Sequence, residues 1–199
     1  MQHLFSLEST TSDYCLLHPG AVAEGRENWF CPSCGKPNHE AQVPAIRLSA
    51  RPKDISLNFL SHAAIGVMRC DFFNLLKEEG VTGDLTITPV QTSNATEIEN
   101  FVAFLPKACL VIRGESHSSY RVCDLCGRHV YHPLGKRYVV KPNCSDLTIF
   151  GNQFGSLVVP LRIASRVRSK EWKHLHIAQL PVLDTPIDGK PLFRFDDDP

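Results

Sequence analysis

Apolar residues recur along this chain with two periods, close to two and close to 3.6, and the two alternate. Residues 3–8, HLFSLE, read as a short strand. Residues 54–60, DISLNFL, alternate, and put Ile55, Leu57 and Phe59 on one face of a strand. Over 69–79, RCDFFNLLKEE, the spacing changes. Phe72, Leu75 and Leu76 fall on one side of a helix, and Gly80 ends it. Alternation returns over 84–91, DLTITPVQ, with Leu85 and Ile87 on one face. After the polar connection 93–99, residues 100–113 read as two strands separated near Pro106. Residues 18–28 are rich in Gly and polar groups. Pro37, Pro44 and Pro52 cut the stretch that follows into short pieces.

The same order then returns. Residues 146–150, DLTIF, read as a strand, 157–159, LVV, as a short apolar run, 161–172 as a helix and 174–182 as a strand. An offset of 92 residues carries Cys31 onto Cys123. It also carries Cys34, Gly35, Asp54, Pro89 and Val90 onto Cys126, Gly127, Asp146, Pro181 and Val182, each matched in type. The helices align with a slip of one residue. The expected architecture is therefore α+β: a single domain, 1–199, of two pseudo-symmetric repeats at about 31–90 and 123–182. Each repeat is a cysteine knuckle, strand, helix and strand. The tail from Thr185, TPIDGKPLFRFDDDP, has the composition of an extended, partly mobile end.

Composition narrows the class without naming a function. The chain has 199 residues, 43% hydrophobic and 21% charged, enough to bury a core without staples. Its 21 basic and 21 acidic residues cancel, which weighs against a dedicated nucleic-acid binder. The N-terminal residues lack the basic and apolar regions of a signal peptide, and no run approaches the roughly 18 apolar residues of a membrane span. The expectation is a soluble cytoplasmic protein with reduced thiols and no membrane partner.

Eight cysteines are present. Cys15, Cys70, Cys109 and Cys144 share no spacing and read as small buried apolar residues. The other four form two CxxCG stretches, Trp29-Phe30-Cys31-Pro32-Ser33-Cys34-Gly35 and Val122-Cys123-Asp124-Leu125-Cys126-Gly127. CxxC closed by Gly makes a tight turn that aims two sulfurs at one point, and the glycine accepts positive φ. Two such turns supply the four thiolates of a structural zinc, with no position left for a reactive water. Their separation is far longer than the roughly 15–20 residues of a compact zinc module. The repeat offers the way round: two knuckles meeting across one axis to share one zinc. Alternatives are two sites completed by His39 or by His129 and His132, knuckles that hold no metal, and a thioredoxin-like redox pair. The last lacks the βαβ setting such a pair needs.

Other candidates carry less. His174 and His176 stand two apart on an expected strand, on one side, with no third ligand in view. There is no GxSxG, no HExxH and no Gly-rich phosphate loop, so nothing in the sequence assembles an enzyme. Arg162, Arg166 and Lys170 recur every fourth residue along the second helix, a solvated face or a partner surface. Arg162, Arg166, Arg168 and Trp172 are the candidate partner-binding residues, with Phe193 and Phe195 beyond them. The first helix carries Asp71, Lys77, Glu78 and Glu79 instead, so the halves differ in charge. The acidic end, Asp196 to Asp198, reads as a solubilising tail.

Taken together, the residues around Tyr14, both CxxCG stretches, Val43-Pro44-Ala45-Ile46-Arg47-Leu48-Ser49, the helix ending at Gly80, Thr86-Ile87-Thr88-Pro89-Val90 and Asp146-Leu147-Thr148-Ile149-Phe150 form a wider pattern. In it the chain resembles the double-CXXCG family, known from myxobacteria and classed among bacterial immunity proteins. The resemblance spans about residues 1–183. It implies a non-enzymatic protein that binds and neutralises a cognate protein toxin, in this family's setting often a nuclease. It carries over no toxin-binding residue. The other reading is a zinc-ribbon-like nucleic-acid-binding or regulatory module, for which Trp29, Phe30, Lys36, Tyr120, Arg121, Arg128 and Tyr131 would be the contact residues.

Overall fold

Four consecutive buried residues, Leu4 to Leu7, make the first strand, β1 (His3–Ser9), a central one with both faces covered. The computed structural model describes residues 3–10, 31–34, 45–49, 57–59, 65–142 and 148–192. Strands β2 (Ile46–Leu48), β3 (Leu57–Phe59), β4 (Gly66–Arg69), β5 (Leu85–Thr92) and β6 (Glu97–Pro106) form a five-stranded sheet in the order β2-β5-β6-β4-β3. Helix α1 (Cys70–Glu78) joins β4 to β5. Strands β12 (Leu157–Pro160) and β13 (Leu175–Leu183), joined by helix α2 (Leu161–Arg168), pair on either side of β1. With β10 (Val139–Val140) they make a four-stranded sheet, β10-β13-β1-β12. The chain thus mixes α and β, mostly sheet, as expected.

The connections in the two sheets correspond. A strand, a helix and a second strand flank an antiparallel central strand, which is β6 in one sheet and β1 in the other. A short strand then pairs parallel to the post-helix strand, β2 on β5 and β10 on β13. Each helix springs directly from its strand through an extended residue, Arg69 (φ −67°, ψ 148°) or Pro160 (φ −73°, ψ 165°). Neither helix start has a capping side chain.

The helix ends differ. Gly80, at φ 72°, closes α1 with the paired bonds Val81 N–H to Leu76 O (3.2 Å) and Gly80 N–H to Lys77 O (3.0 Å). Helix α2 has no glycine there. It stops at Arg168, short of the expected Trp172, because that indole turns back. Its Nε1–H donates to Val167 O at 3.0 Å, beside the Lys170 N–H at 3.2 Å, and Ser169 Oγ donates to Arg166 O at 2.8 Å, so side chains help satisfy the last carbonyls.

One hydrophobic cluster draws on both sheets and both helices. Phe5 and Leu7 from β1, Met68 and Phe104 from the first sheet, Phe72, Leu75 and Leu76 from α1, and Ile163, Ala164 and Val167 from α2 all belong to it. Leu85 lies in it as expected, whereas Ile87, of the same strand parity, remains 36% exposed. Three further expectations change. Thr148 and Ile149 are not in a strand; β11 (Gly151–Asn152) follows them and pairs with β7 (Cys109–Leu110). His174 has φ 57° and ends a turn, so it does not share a strand face with His176. Tail residues 184–192 are anchored, as described below. Cys109 is buried and Cys70 partly so, while Cys15, Cys144, Phe193, Phe195 and Asp196 to Asp198 lie outside the described residues.

Among the described residues, strands β8 (Ser116–Val122) and β9 (His129–Leu134) pair only with each other, as a separate antiparallel hairpin. Its tip is the second cysteine knuckle.

Candidate metal centre

The tip of this hairpin is built by its own backbone. Cys123 N–H donates to Arg128 O and Gly127 N–H to Cys123 O, both at 2.8 Å, and Gly127 takes φ 73°. This is the tight turn that CxxC followed by Gly calls for. The other CxxC turn, residues 31–34, meets it face to face. Cys31 Sγ lies 3.8 Å from Cys123 Sγ, and Cys34 Sγ lies 3.4 Å from Cys126 Sγ. All four sulfurs fall within 4.8 Å of one another. Bonds of about 2.3 Å to a tetrahedral ion separate ligand sulfurs by about 3.8 Å, so the arrangement fits one metal ion. Arg128 adds a cross-brace, its Nη1–H donating to Cys34 O at 3.1 Å.

The thiols are tuned against each other. The backbone amides of Cys126 and Leu125 donate to Cys123 and draw its pKa down to about 6. The amide of Cys34, and then that of Ser33, lowers Cys31 in the same way. Desolvation of its sulfur, and after it hydrogen bonding with the other thiols, pushes Cys126 up to about 12. Amides pointing at two sulfurs favour thiolate there. Four thiolates in so small a volume would, however, repel one another. A bound cation removes that conflict, since metal ions take thiols in deprotonated form.

The four cysteines predicted as ligands are thus brought together. Other proposed ligands are not: His129 is held by Tyr120 Oη through Nδ1 at 2.8 Å, His132 is exposed, and His39 lies outside the described residues. Four sulfurs make a closed donor set with no vacant position, suited to holding structure rather than activating water.

The four predicted partner-binding residues make contacts within the chain. Arg162 pairs with Glu79 through its side chain and through Glu79 O. Arg166 donates from Nε to Glu79 Oε1 and from Nη2 to Glu78 Oε2, each at 3.2 Å. The opposite charges of the two helices therefore complement each other across their contact. Arg168 stands over the Phe5 ring at 4.9 Å. Trp172, expected to be exposed, packs edge-on against Phe72 with ring centroids 5.0 Å apart.

The sequence reading missed a buried ionic knot at the base of the β8–β9 hairpin. Arg113 Nη1 donates to both Asp188 oxygens, at 2.8 and 2.9 Å, with side-chain exposures of 2% and 0%. Arg113 Nη2 also donates to Pro191 O. Tyr131 Oη–H donates to Asp188 Oδ2 at 2.7 Å, and burial first, then the nearby carboxylate, raises that phenol to about 12. No spacing marks these residues as a group. The one signal was an Asp-Gly turn inside a tail read as mobile.

Neither a protein-family model nor a curated protein matches this chain.

Proposed function

We propose that this protein is a non-enzymatic cytoplasmic immunity protein that binds and neutralises a cognate bacterial toxin, and that one structural zinc staples its two halves. The observation that carries the zinc part of the reading is the closed set of four sulfurs, two from each CxxC turn. Soft thiolates at these separations suit Zn²⁺, and a metal joining residues far apart in the chain serves a frame. The matching connection orders of the two sheets support a duplicated unit, with the zinc near the approximate two-fold between its copies. The toxin is inferred from the sequence resemblance, and a nuclease is the class that resemblance suggests.

The exposed side of α2 is the proposed partner surface. Leu161 is 56% exposed there, and Arg162 and Arg166 keep outward area beyond their internal pairs. An immunity protein must leave almost no toxin free, and a nanomolar dissociation constant corresponds to about 12 kcal/mol. A standard interface of about 800 Å² per partner supplies that with a few buried anchors.

The test is co-expression with the product of the adjacent gene. Expected are a stable complex on size exclusion and rescue of growth. Absence of binding, combined with a salt-dependent shift of random DNA, would overturn this reading in favour of the nucleic-acid alternative. The hairpin weighs against that alternative. Tyr131 is buried, Lys190 Nζ sits over the Tyr120 ring at 4.7 Å, and Arg128 is engaged with Cys34 O.

A further inference from the structure

The β8–β9 hairpin poses a mechanical problem. It carries two of the four sulfurs at its tip, yet among the described residues it pairs as a strand with nothing but itself. A lone two-stranded hairpin is marginal in water, so its aim has to be set by contacts outside its own ladder. At its base three separated stretches converge on Asp188. Arg113, just before β8, grips both carboxylate oxygens. Tyr131, within β9, donates to the same carboxylate and receives Gly114 N–H at 3.2 Å. The segment carrying Asp188 is itself tied down, by Lys190 N–H on Oδ1 at 3.0 Å and by Ile187 N–H on Tyr138 Oη at 3.0 Å. Gly114 runs so close to Leu134 that a Cβ there would meet its backbone.

We infer that Arg113, Asp188 and Tyr131 form a latch through which the C-terminal segment 184–192 positions the Cys123–Cys126 knuckle against Cys31 and Cys34. They are positioning residues for the metal, and the inference rests on the metal reading above. Exposed ion pairs add little, but this one is buried on both sides, so removing one partner leaves the other without its counter-charge in the interior. The base of the hairpin then loosens, and the tip that carries two ligands swings with it.

The experiment uses the full-length, zinc-loaded protein and follows metal transfer to a chromogenic chelator. Asp188→Asn is expected to speed release about tenfold, in line with the losses seen when groups supporting metal ligands are removed. Tyr131→Phe should act in the same direction but less. Glu79→Gln, which cuts the distant helix–helix pair, should leave release unchanged. Hydrogen exchange supplies a readout that does not depend on metal. The Cys123 and Gly127 amides should exchange faster in Asp188→Asn, while amides of β6 do not.

Should Asp188→Asn fail to fold by circular dichroism, Tyr131→Phe decides by the same two readouts. Unchanged release and unchanged exchange in a folded variant would overturn the latch. Equal acceleration by Glu79→Gln would do so too, since that reports general softening. A wild-type protein that binds no zinc would defeat the metal reading alone, and the exchange experiment would then decide the latch.

Discussion

The two strand–helix–strand units solve the same packing problem with different materials. Both lay a helix across a sheet and close the sheet on a central antiparallel strand. In the first unit that strand, β6, follows next along the chain through a tight turn at Thr92–Thr96. In the second it is β1, brought from the N-terminus. The first helix ends on a glycine; the second ends on a serine hydroxyl and an indole. The first ends acidic, and the second answers with arginines. A recurring pattern thus sets where elements lie, while the partners that complete each unit need not recur. The differences are what join the halves: charge of opposite sign between the helices, and Trp172 of one unit laid on Phe72 of the other.

The sharpest way to break the comparison is at the cysteines. Purified protein should hold about one zinc per chain by elemental analysis. Cys34→Ser and Cys123→Ser, one in each half, should both lose it, with a destabilisation of roughly 3 kcal/mol and a melting temperature lower by about 10 °C. Retention of zinc by either variant, or two zincs per wild-type chain, would end the shared-site account.

The central strands come next. Leu7→Ala in β1 and Phe104→Ala in β6 each empty a site that is 0% exposed, and should cost about 2–5 kcal/mol. Because both side chains sit in one cluster, urea unfolding followed by fluorescence and by circular dichroism should give one coincident transition for each variant. Two separated transitions would show halves that unfold apart.

A smaller effect belongs to the helix ends. Trp172→Phe keeps an aromatic ring against Phe72 but deletes the bond to Val167 O, and should cost about 1 kcal/mol. A neutral result in thermal melts would mean that the indole does not cap α2.

Smallest in stability is the helix–helix charge pairing. Arg162 is 59% exposed and the pair is screened, so Arg162→Glu should cost about 0.5–1 kcal/mol, and adding Glu79→Arg should recover part of it. The same face carries the functional bet. Arg162→Glu with Arg166→Glu should weaken protection against the cognate toxin while leaving zinc content intact. Full protection from that double variant would move the partner surface elsewhere.

What the sequence determined by itself was local. Alternation and helical spacing located β1, α1, β5 and β13 to within a few residues, and Gly80 marked a helix end, because strand and helix periods and glycine's access to positive φ are properties of short stretches. The CxxCG stretches announced candidate metal ligands for the same reason: the turn that aims two sulfurs is made within six residues, as at Cys123–Arg128. Only the tertiary structure decided which distant pieces complete each other. That β1 would be the central strand of the second sheet, that Glu79 would take the arginines proposed for a partner, and that Asp188 would be buried on Arg113 and Tyr131 depend on contacts between residues far apart in the chain. Their energy comes from removing both groups from water together, and no periodicity along the chain records it.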